Sequence, residues 1–149
     1  MNAGTVTIAS EPPEAGIGEA VLEGLRGFNR QHTGPPEFRP LALAARDEDG
    51  ALIGGLVGET GWQWLHVSLL WVRDEHRGRG VGRRLLRAAE AEARERGCGF
   101  AYLDTFEFQA PRFYEREGYS VFGVQEGYPP GSRRYYLRKA LTESVRQRH

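Results

Sequence analysis

The 149-residue sequence is poor in cysteine, in long apolar runs and in net charge. Its single cysteine, Cys98, has no partner for a disulfide and cannot build a cysteine-based metal site. No run approaches the roughly 18 consecutive apolar residues of a membrane-spanning helix, so we expect no membrane partner. Twenty basic residues balance twenty acidic ones, so the overall charge does not favour nucleic acid as a partner.

Two further absences bear on metal binding and on the cellular location of the protein. The four histidines are scattered at positions 32, 66, 76 and 149 without the spacing of metal ligands, so we expect no metal. The first sixteen residues lack the basic start and apolar core of a secretory signal peptide, which favours a cytoplasmic protein. The length suggests one domain that spans residues 1–149.

Apolar periodicity and turn residues predict an alternation of strands and helices. A short strand at 5–8 precedes a helix whose apolar positions run from Ile17 to Phe28. Three antiparallel strands follow at 41–46, 51–58 and 62–72, the first two joined by an Asp-Gly turn. The remaining elements are a helix that starts near 81 and ends at Gly97, a strand at 100–105, a helix at 109–118, and strands at 119–124 and 134–138. The predicted order β-α-β-β-β-α-β-α-β-β describes an α/β fold with a mixed sheet of about six to seven strands, in which strand 100–105 runs parallel to strand 62–72.

The most informative segment is a glycine-rich turn between the strand that ends at Val72 and the helix that follows. Glycines at 78, 80 and 82 let a ligand approach the backbone, because no side chain stands in the way. The first amides of a helix have no internal partner and lie at the positive end of its dipole. The segment from Arg73 to Arg87 contains six arginines and only two acidic residues. The turn therefore predicts a site for a phosphate or diphosphate.

The glycine spacing excludes two common phosphate-binding motifs. No Gly-Lys-Ser/Thr follows, so the turn is not a P-loop. The spacing is G-x-G-x-G, whereas the dinucleotide fingerprint is G-x-G-x-x-G. An RNA-binding Arg-Gly segment would be longer and repetitive, whereas this one is short and embedded between a strand and a helix.

At this turn the chain resembles the GCN5-related N-acetyltransferases, which move an acetyl group from acetyl-CoA to an amine. Their Gln/Arg-x-x-Gly-x-Gly/Ala signature is similar to the run from Arg77 to Gly82, which follows the strand end at Val72. A second signature, A-x-x-F/L-Y-E-K-x-G-F, is similar to Ala110–Tyr119. The predicted order of elements matches the family's layout over nearly the whole chain.

The resemblance implies acetyl-CoA as co-substrate and assigns its contacts. Backbone amides of the turn would hold the diphosphate, with added charge from arginines. An amide near the end of strand 62–72 would polarise the thioester, and this strand and strand 100–105 would splay around the pantetheine. Many relatives carry an asparagine seven residues before the conserved tyrosine, where this chain has Glu107 with Gln109 nearby. The implied cofactor-binding residues are Leu70, Trp71, Val72, Arg77, Gly78, Arg79, Gly80, Val81, Gly82, Arg83 and Gln109. Arg84 and Arg87 are interpreted as a solvated helix face.

The resemblance also implies catalytic roles. Tyr114 matches the family's tyrosine, which donates a proton to the leaving sulfur, and a phenol is protonated at neutral pH. His66 is the candidate general base, because histidine titrates near neutral pH. Strand alternation predicts that His66, Ser68, Leu70 and Val72 share one face. Glu59, Asp104, Glu107 and water remain alternatives to His66.

We therefore expect an N-acetyltransferase that acts on a primary amine by direct attack in a ternary complex. Loops 32–40, 59–63 and 125–132 would shape the acceptor pocket with aromatic and acidic side chains, which suggests a cationic small molecule with an apolar part, although a protein amine stays open. The alternative is a non-catalytic acyl-CoA sensor, which would tolerate loss of Tyr114. The family often dimerises, so a homodimer is open. The aromatic residues are Phe38, Trp62, Trp64 and Tyr128, and the acids are Glu37, Glu59 and Glu126.

Overall fold

The computed structural model describes residues 4–35 and 37–142. The chain divides into two compact units, residues 1–36 and 37–149, and each is described by itself. In the first unit, a 3-10 turn at Pro13–Ala15 precedes helix α1 at Ile17–Thr33. The helix confirms the apolar periodicity, but the predicted strand at 5–8 is wrong, because residues 4–12 form no regular structure. A short β-branched run becomes a strand only where another strand accepts its backbone hydrogen bonds.

The second unit is built on a six-stranded mixed sheet, which confirms the predicted α/β class. Strands β1, β2 and β3 are antiparallel, β4 runs parallel to β3 as predicted, and β6 is antiparallel to both β4 and β5. The strand order across the sheet is β1-β2-β3-β4-β6-β5. The elements are β1 Arg39–Arg46, β2 Leu52–Gly61, β3 Trp64–Val72, α2 Val81–Glu95, β4 Phe100–Phe106, α3 Pro111–Arg116, β5 Ser120–Glu126 and β6 Arg133–Ala140.

Helix α2 covers one face of this sheet and forms the core with it. It contacts β1, β2 and β3, and it buries Leu85, Leu86, Ala89 and Ala93 against them. Alternation along the strands directs every second side chain to the same face. The helix ends where predicted, since Gly97 takes φ of 89° immediately after it. The core includes Leu56, Leu65, Leu86, Ala89, Ala93, Leu103 and Leu137.

A β-bulge at Ser68 interrupts the alternation of β3. Val57 pairs with Leu69, but the next residue of β2, Gly58, pairs with Val67, so Ser68 is an extra residue in β3. Leu65 and Val67 face the core before the bulge, and Leu70 and Val72 pack against the core after it. The prediction that His66, Ser68, Leu70 and Val72 share one face is therefore wrong. His66 lies on the face opposite the side chains of Leu70 and Val72.

Strands β3 and β4 separate at this bulge. Their parallel pairing runs from Trp64↔Phe100 to Val67↔Leu103 and then stops. Residues 68–72 of β3 and 104–106 of β4 continue as strands without pairing to each other. The sheet therefore has a cleft between β3 and β4 at the end from which the glycine turn follows.

A buried charge cluster fixes α2 against the segment that follows α3. The Glu90 carboxylate, 2% exposed, accepts a hydrogen bond from the Tyr119 hydroxyl at 2.8 Å and from Lys139 Nζ at 3.0 Å. Lys139 Nζ also donates to the backbone oxygen of Glu117 at 2.7 Å. A buried carboxylate satisfied in this way is costly to disturb, so the position of α3 relative to α2 is well defined. No helix within residues 4–35 and 37–142 is long and apolar enough to cross a membrane.

Candidate active site

The glycine turn has the geometry of an anion cradle. Gly78 and Gly80 take φ of 75° and 81°, a left-handed conformation that disfavours any residue with a Cβ. An ideal Cβ at either position would meet no atom within 4 Å, so the space above the turn is open. The first bond of α2 runs from the Arg84 amide to the Gly80 oxygen at 3.0 Å. The amides of residues 81–83 thus lack partners inside the helix, and a diphosphate fits this arrangement.

Gly82 has a different role from the two glycines before it. A Cβ here would lie 3.6 Å from the Phe113 ring and 3.7 Å from Val72 Cγ2. Gly82 therefore marks the point where the start of α2, the end of β3 and helix α3 come together. Val81 packs on the core beside them.

The arginines of the turn differ in what they contact. Arg77 Nε donates to the Val72 oxygen at 3.2 Å and lies 3.3 Å from the Asp74 carboxylate, so it holds the turn onto the strand. Arg83 Nε is 3.8 Å from Glu117 Oε2. Arg79 is exposed, and no ion pair with another described residue engages it. This places an available positive charge beside the open space above the glycines.

Arg87 is largely exposed, as the sequence suggested, and it also forms an ion pair with Glu117. Its Nε donates to Glu117 Oε1 at 3.0 Å, and Arg83 approaches the other oxygen of the same carboxylate. Glu117 follows α3 directly, and its side chain is only 9% exposed. The two arginines therefore link the first turns of α2 to the end of α3.

Two backbone amides of β3 point into the cleft. The Arg73 amide donates to the Ile53 oxygen of β2 at 2.8 Å. Hydrogen-bonded pairs alternate along an antiparallel ladder, so Trp71 also directs its backbone to β2, whereas Leu70 and Val72 direct theirs toward β4. Since the β3/β4 pairing has ended by then, these two amides face the opening. Such amides can stabilise negative charge on a carbonyl oxygen. The side chain of Trp71 is 48% exposed.

Tyr114 lies on α3, next to the junction of β3 and α2. Its ring packs edge-on against Phe113 at 5.0 Å and against Tyr119 at 6.1 Å. Burial, helped by the negative charge of Asp104, raises the pKa of Tyr114 to about 12. The hydroxyl is therefore a proton donor over the whole physiological range.

His66 lies on the sheet face opposite α2. Its ring stacks on Tyr102 of β4 at 4.5 Å with an angle of 11° between the planes. Glu59 is the residue directly across from it on β2, so the two side chains share this face. Both line a hollow of about 250 Å³. Tyr102 was not among the predicted site residues, although its alternation with Asp104 in strand 100–105 could have placed it here.

The other candidate bases have different surroundings. Asp104 is bound by Arg134, whose Nε and Nη2 approach one carboxylate oxygen at 2.9 and 2.8 Å. Glu107 is exposed in a 3-10 turn after β4. In the same turn Gln109 Oε1 accepts hydrogen bonds from the Phe106 amide at 3.0 Å and the Thr105 hydroxyl at 3.4 Å. Gln109 therefore caps the end of β4, at the rim of the cleft.

The predicted acceptor loops divide between two places. Phe38, Trp62 and Trp64 line the hollow with His66. Tyr128 instead stacks on Phe106, and the Arg134 guanidinium lies 5.1 Å from the Tyr128 ring centre. A larger hollow of about 680 Å³ contains none of the predicted catalytic or cofactor-binding residues. It is lined mainly by Arg87, Phe100, Arg116, Glu117, Arg138 and Lys139.

Comparison with known proteins identifies the family. The model of the acetyltransferase (GNAT) family matches residues 10–119, which include the glycine turn, the cleft strands and Tyr114. The chain is a GNAT-family acetyltransferase. This confirms the family resemblance and the expectation of an enzyme that transfers acetyl groups.

Individual relatives agree with this assignment. The acetyltransferase is 50% identical over 109 residues to blasticidin-S acetyltransferase of Streptomyces morookaense, covering 70% of this chain and 80% of the relative. It superposes on a crystal structure of an acetyltransferase from Bacillus cereus with a TM-score of 0.83 and 30% identity, covering 91% and 97% of the two chains. An aminoglycoside 6'-N-acetyltransferase solved with coenzyme A has the same fold, with a TM-score of 0.62, 22% identity and coverage of 69% and 73%.

Proposed function

We propose that this acetyltransferase moves the acetyl group of acetyl-CoA to the primary amine of a small molecule, by direct attack within a ternary complex. One observation carries the proposal. The open glycine turn, the cleft with the inward amides of Leu70 and Val72, and helix α3, which carries Tyr114, all lie around the point where Gly82 meets Phe113 and Val72. Each group suits one part of acetyl-CoA. The turn amides suit the diphosphate, the cleft amides suit the thioester oxygen, and the phenol suits the leaving sulfur.

The residues that would hold acetyl-CoA follow from this geometry. The amides from Gly78 to Arg83 would bind the diphosphate, and Arg79 would add an unpaired positive charge. The cleft between residues 68–72 and 104–106 would receive the pantetheine, with Gln109 at its rim. Arg77 and Arg83 already contact acidic partners, so we expect them to shape the turn more than to neutralise the ligand.

The same residues would carry the transfer step. Acetyl-CoA supplies an acetyl thioester, whose carbonyl carbon forms a bond to the amine nitrogen while its C–S bond breaks. The amide of Leu70 or Val72 would stabilise the negative charge that develops on the carbonyl oxygen. Tyr114 would give its proton to the departing thiolate. His66 would receive the proton released by the amine nitrogen through a chain of several waters, since Leu70 lies four positions further along β3, at about 13 Å.

His66 is the preferred base among the candidates because its imidazole lines the hollow and no ion pair with another described residue engages it. The Asp104 carboxylate is already engaged in an ion pair with Arg134. Glu59 and Glu107 are exposed. Glu59 is better suited to attract a cationic substrate, because it lies across from His66 at the rim of the hollow.

The acceptor that the relatives favour is an antibiotic amine. Half of the aligned residues are shared with blasticidin-S acetyltransferase, and this supports blasticidin S as the first acceptor to assay. We also propose that the enzyme works in the cytoplasm, which cell fractionation with an epitope-tagged chain would test. A homodimer stays a prediction, which analytical ultracentrifugation would decide.

The first test is calorimetric titration of acetyl-CoA into the wild type and into a Gly80→Glu variant, which places an anion in the cradle. Gly97→Glu is the matched control, because Gly97 is also left-handed, also has open space at its Cβ, and lies at the opposite end of α2. We expect binding to be lost in Gly80→Glu and kept in Gly97→Glu. Failure of the folded wild type to bind acetyl-CoA would sink the proposal.

The second test separates an enzyme from a non-catalytic acyl-CoA sensor. Thiol release from acetyl-CoA in the presence of blasticidin S is measured for the wild type and for Tyr114→Phe. We expect kcat to fall roughly 100-fold or more in the variant, with little change in acetyl-CoA binding. Tight acetyl-CoA binding without thiol release from any amine in a broad screen would favour the sensor.

A further inference from the structure

The hollow beside His66 is a candidate specificity site for the acceptor. We propose that it binds a flat, positively charged ring of the acceptor, and that the reacting primary amine is carried on an arm that extends from this ring along β3 to the cleft. This proposal rests on the acetyl-transfer function above and narrows its substrate class. It identifies Trp62 and Glu59 as the residues that determine specificity.

The walls of the hollow are almost entirely aromatic. Phe38 and Trp62 meet edge-on with ring centres 5.1 Å apart at one side. Trp64 meets Tyr102 edge-on at 5.8 Å, and His66 stacks on the same tyrosine. Rings in these orientations present faces and edges on which a flat ligand ring can stack.

The charge of the hollow selects a cation. Glu59 supplies a carboxylate at its rim, and no Lys or Arg is found among the described residues that line it. Aromatic faces attract positive charge as well. The amine that attacks a thioester must be neutral, so it cannot be the group that Glu59 holds. The acceptor therefore needs a second, cationic group, and the flat walls favour one that is part of a ring.

The turn beside the hollow holds two residues other than glycine in a left-handed backbone conformation, which is strained. Trp62 and Gln63 form the two-residue turn between β2 and β3, with φ of 49° and 69°. Such turns prefer Asn-Gly because both residues are left-handed. Bulky residues in this conformation occur where surrounding structure enforces them, often at ligand sites. Here this strained turn brings Trp62 into the lining of the hollow.

A glycine is needed on the neighbouring strand to complete the wall. A Cβ on Gly61 would overlap the Phe38 ring. The ring therefore lies directly on the backbone of β2, and it reaches Trp62 only because Gly61 has no side chain. Two unusual choices, a glycine at 61 and a tryptophan at 62, thus cooperate to shape one wall.

Size and distance set the form of the acceptor. A volume of about 250 Å³ is less than that of a site for a whole drug-sized ligand, so it suits a single ring. The cleft amide of Leu70 is four residues along β3 from His66, or about 13 Å. An acceptor that fills the hollow must span most of this distance before its amine reaches the thioester.

The test compares two synthetic amines of equal length, 1-(6-aminohexyl)pyridinium and 6-phenylhexylamine, as acceptors with saturating acetyl-CoA. We expect the charged ring to give a KM roughly three- to tenfold lower than the neutral ring. Glu59→Gln should remove this difference, and Trp62→Ala should raise both KM values with kcat changed less than about twofold. Glu48→Gln, an exposed acid in the other hairpin turn, is the matched control and should change neither.

Calorimetric binding of the pyridinium amine, with and without CoA, gives a readout that does not need turnover. Binding that Glu59→Gln weakens supports the proposal even if Trp62→Ala does not fold. Equal KM values for the two amines, unaffected by Glu59→Gln, would overturn the ring site while leaving acetyl transfer intact. Absence of acetyl-CoA binding would instead overturn the proposed function, and Glu59-dependent binding of the pyridinium amine would then still support the hollow as a cation site.

Discussion

The turn between β1 and β2 and the turn between β2 and β3 both join antiparallel neighbours in the same mixed sheet. In the first, Asp47 Oδ1 accepts hydrogen bonds from the Asp49 and Ala51 amides, both at 2.9 Å. Gly50 supplies the left-handed residue that the turn needs, with φ of 84°. Aspartate and glycine are the residues that such a turn favours, so the local sequence and the local structure agree.

The second turn departs from these preferences. Gly61 pairs with Trp64, so Trp62 and Gln63 form the loop, and both are left-handed without being glycine or asparagine. Each residue forced into this region costs about 1 kcal/mol or more. The first turn therefore has residues that suit its backbone conformation, whereas the second has residues that disfavour theirs. The strained turn is the one that lines the hollow beside His66.

The largest effect is expected from making the second turn resemble the first. The double substitution Trp62→Asn with Gln63→Gly should relieve strain and raise the free energy of unfolding by about 1 kcal/mol. It removes the Trp62 ring, so the KM for a ring-bearing amine should rise roughly tenfold. Urea denaturation and steady-state kinetics measure the two effects. A more stable enzyme with an unchanged KM would show that Trp62 has no role in binding.

The reverse pattern is expected at the first turn. Asp47→Ala removes two hydrogen bonds, one of them partly buried, and should lower the free energy of unfolding by about 1 kcal/mol. The KM for the amine and for acetyl-CoA should stay the same, because no hydrogen bond among the described residues joins this turn to a predicted site residue. Urea denaturation with parallel kinetics provides the check, and a raised amine KM would link the first turn to the substrate.

A smaller loss is expected for Gly50→Ala. The new methyl group meets no atom within 4 Å, so the only cost is the left-handed backbone. The free energy of unfolding should fall by about 0.5 to 1 kcal/mol, as read from the shift of the urea midpoint. A much larger loss would mean that the turn lacks the open space that surrounds Gly50 in this structure.

The last prediction is that kcat does not fall as the pH is raised moderately above neutral. Burial raises the pKa of Tyr114 to about 12, so its hydroxyl stays protonated and able to donate well above neutral pH. As pH rises, loss of this donor should lower kcat only when pH approaches 12. The wild type and both turn variants should therefore show no alkaline fall below about pH 10. A fall near pH 9 that disappears in Tyr114→Phe would contradict this pKa.

Much of the fold was predictable because the signals were local. Hydrophobic periodicity located α1 and α2, and the left-handed Gly97 ended α2 as expected. The glycine turn was recognised from spacing alone, since positive φ at residues 78 and 80 depends on the absence of a Cβ. The prediction of a strand at 5–8 was wrong because strand formation is not local: it depends on a partner strand that the segment itself does not contain.

The candidate site was predictable only in part. The bulge at Ser68 has no clear signal in an apolar run, yet it moves His66 to the face opposite Leu70 and Val72. A one-residue shift exchanges the faces of a strand, so this single residue decides which side chains meet the hollow. The pairing of Glu117 with Arg83 and Arg87, and of Asp104 with Arg134, likewise joins residues that are distant in sequence.

The sequence by itself determined that this chain has a glycine-rich turn between a strand and a helix, a mixed sheet and a tyrosine in the family's second motif, because backbone conformation and periodicity are properties of neighbouring residues. Only the tertiary structure decided where β3 and β4 part, which amides face the cleft and how far the pKa of Tyr114 rises. It also decided that aromatic residues from β3, β4, the turn before β3 and the segment before β1 line one hollow. Those features depend on strand register and burial, which arise when distant segments pack together.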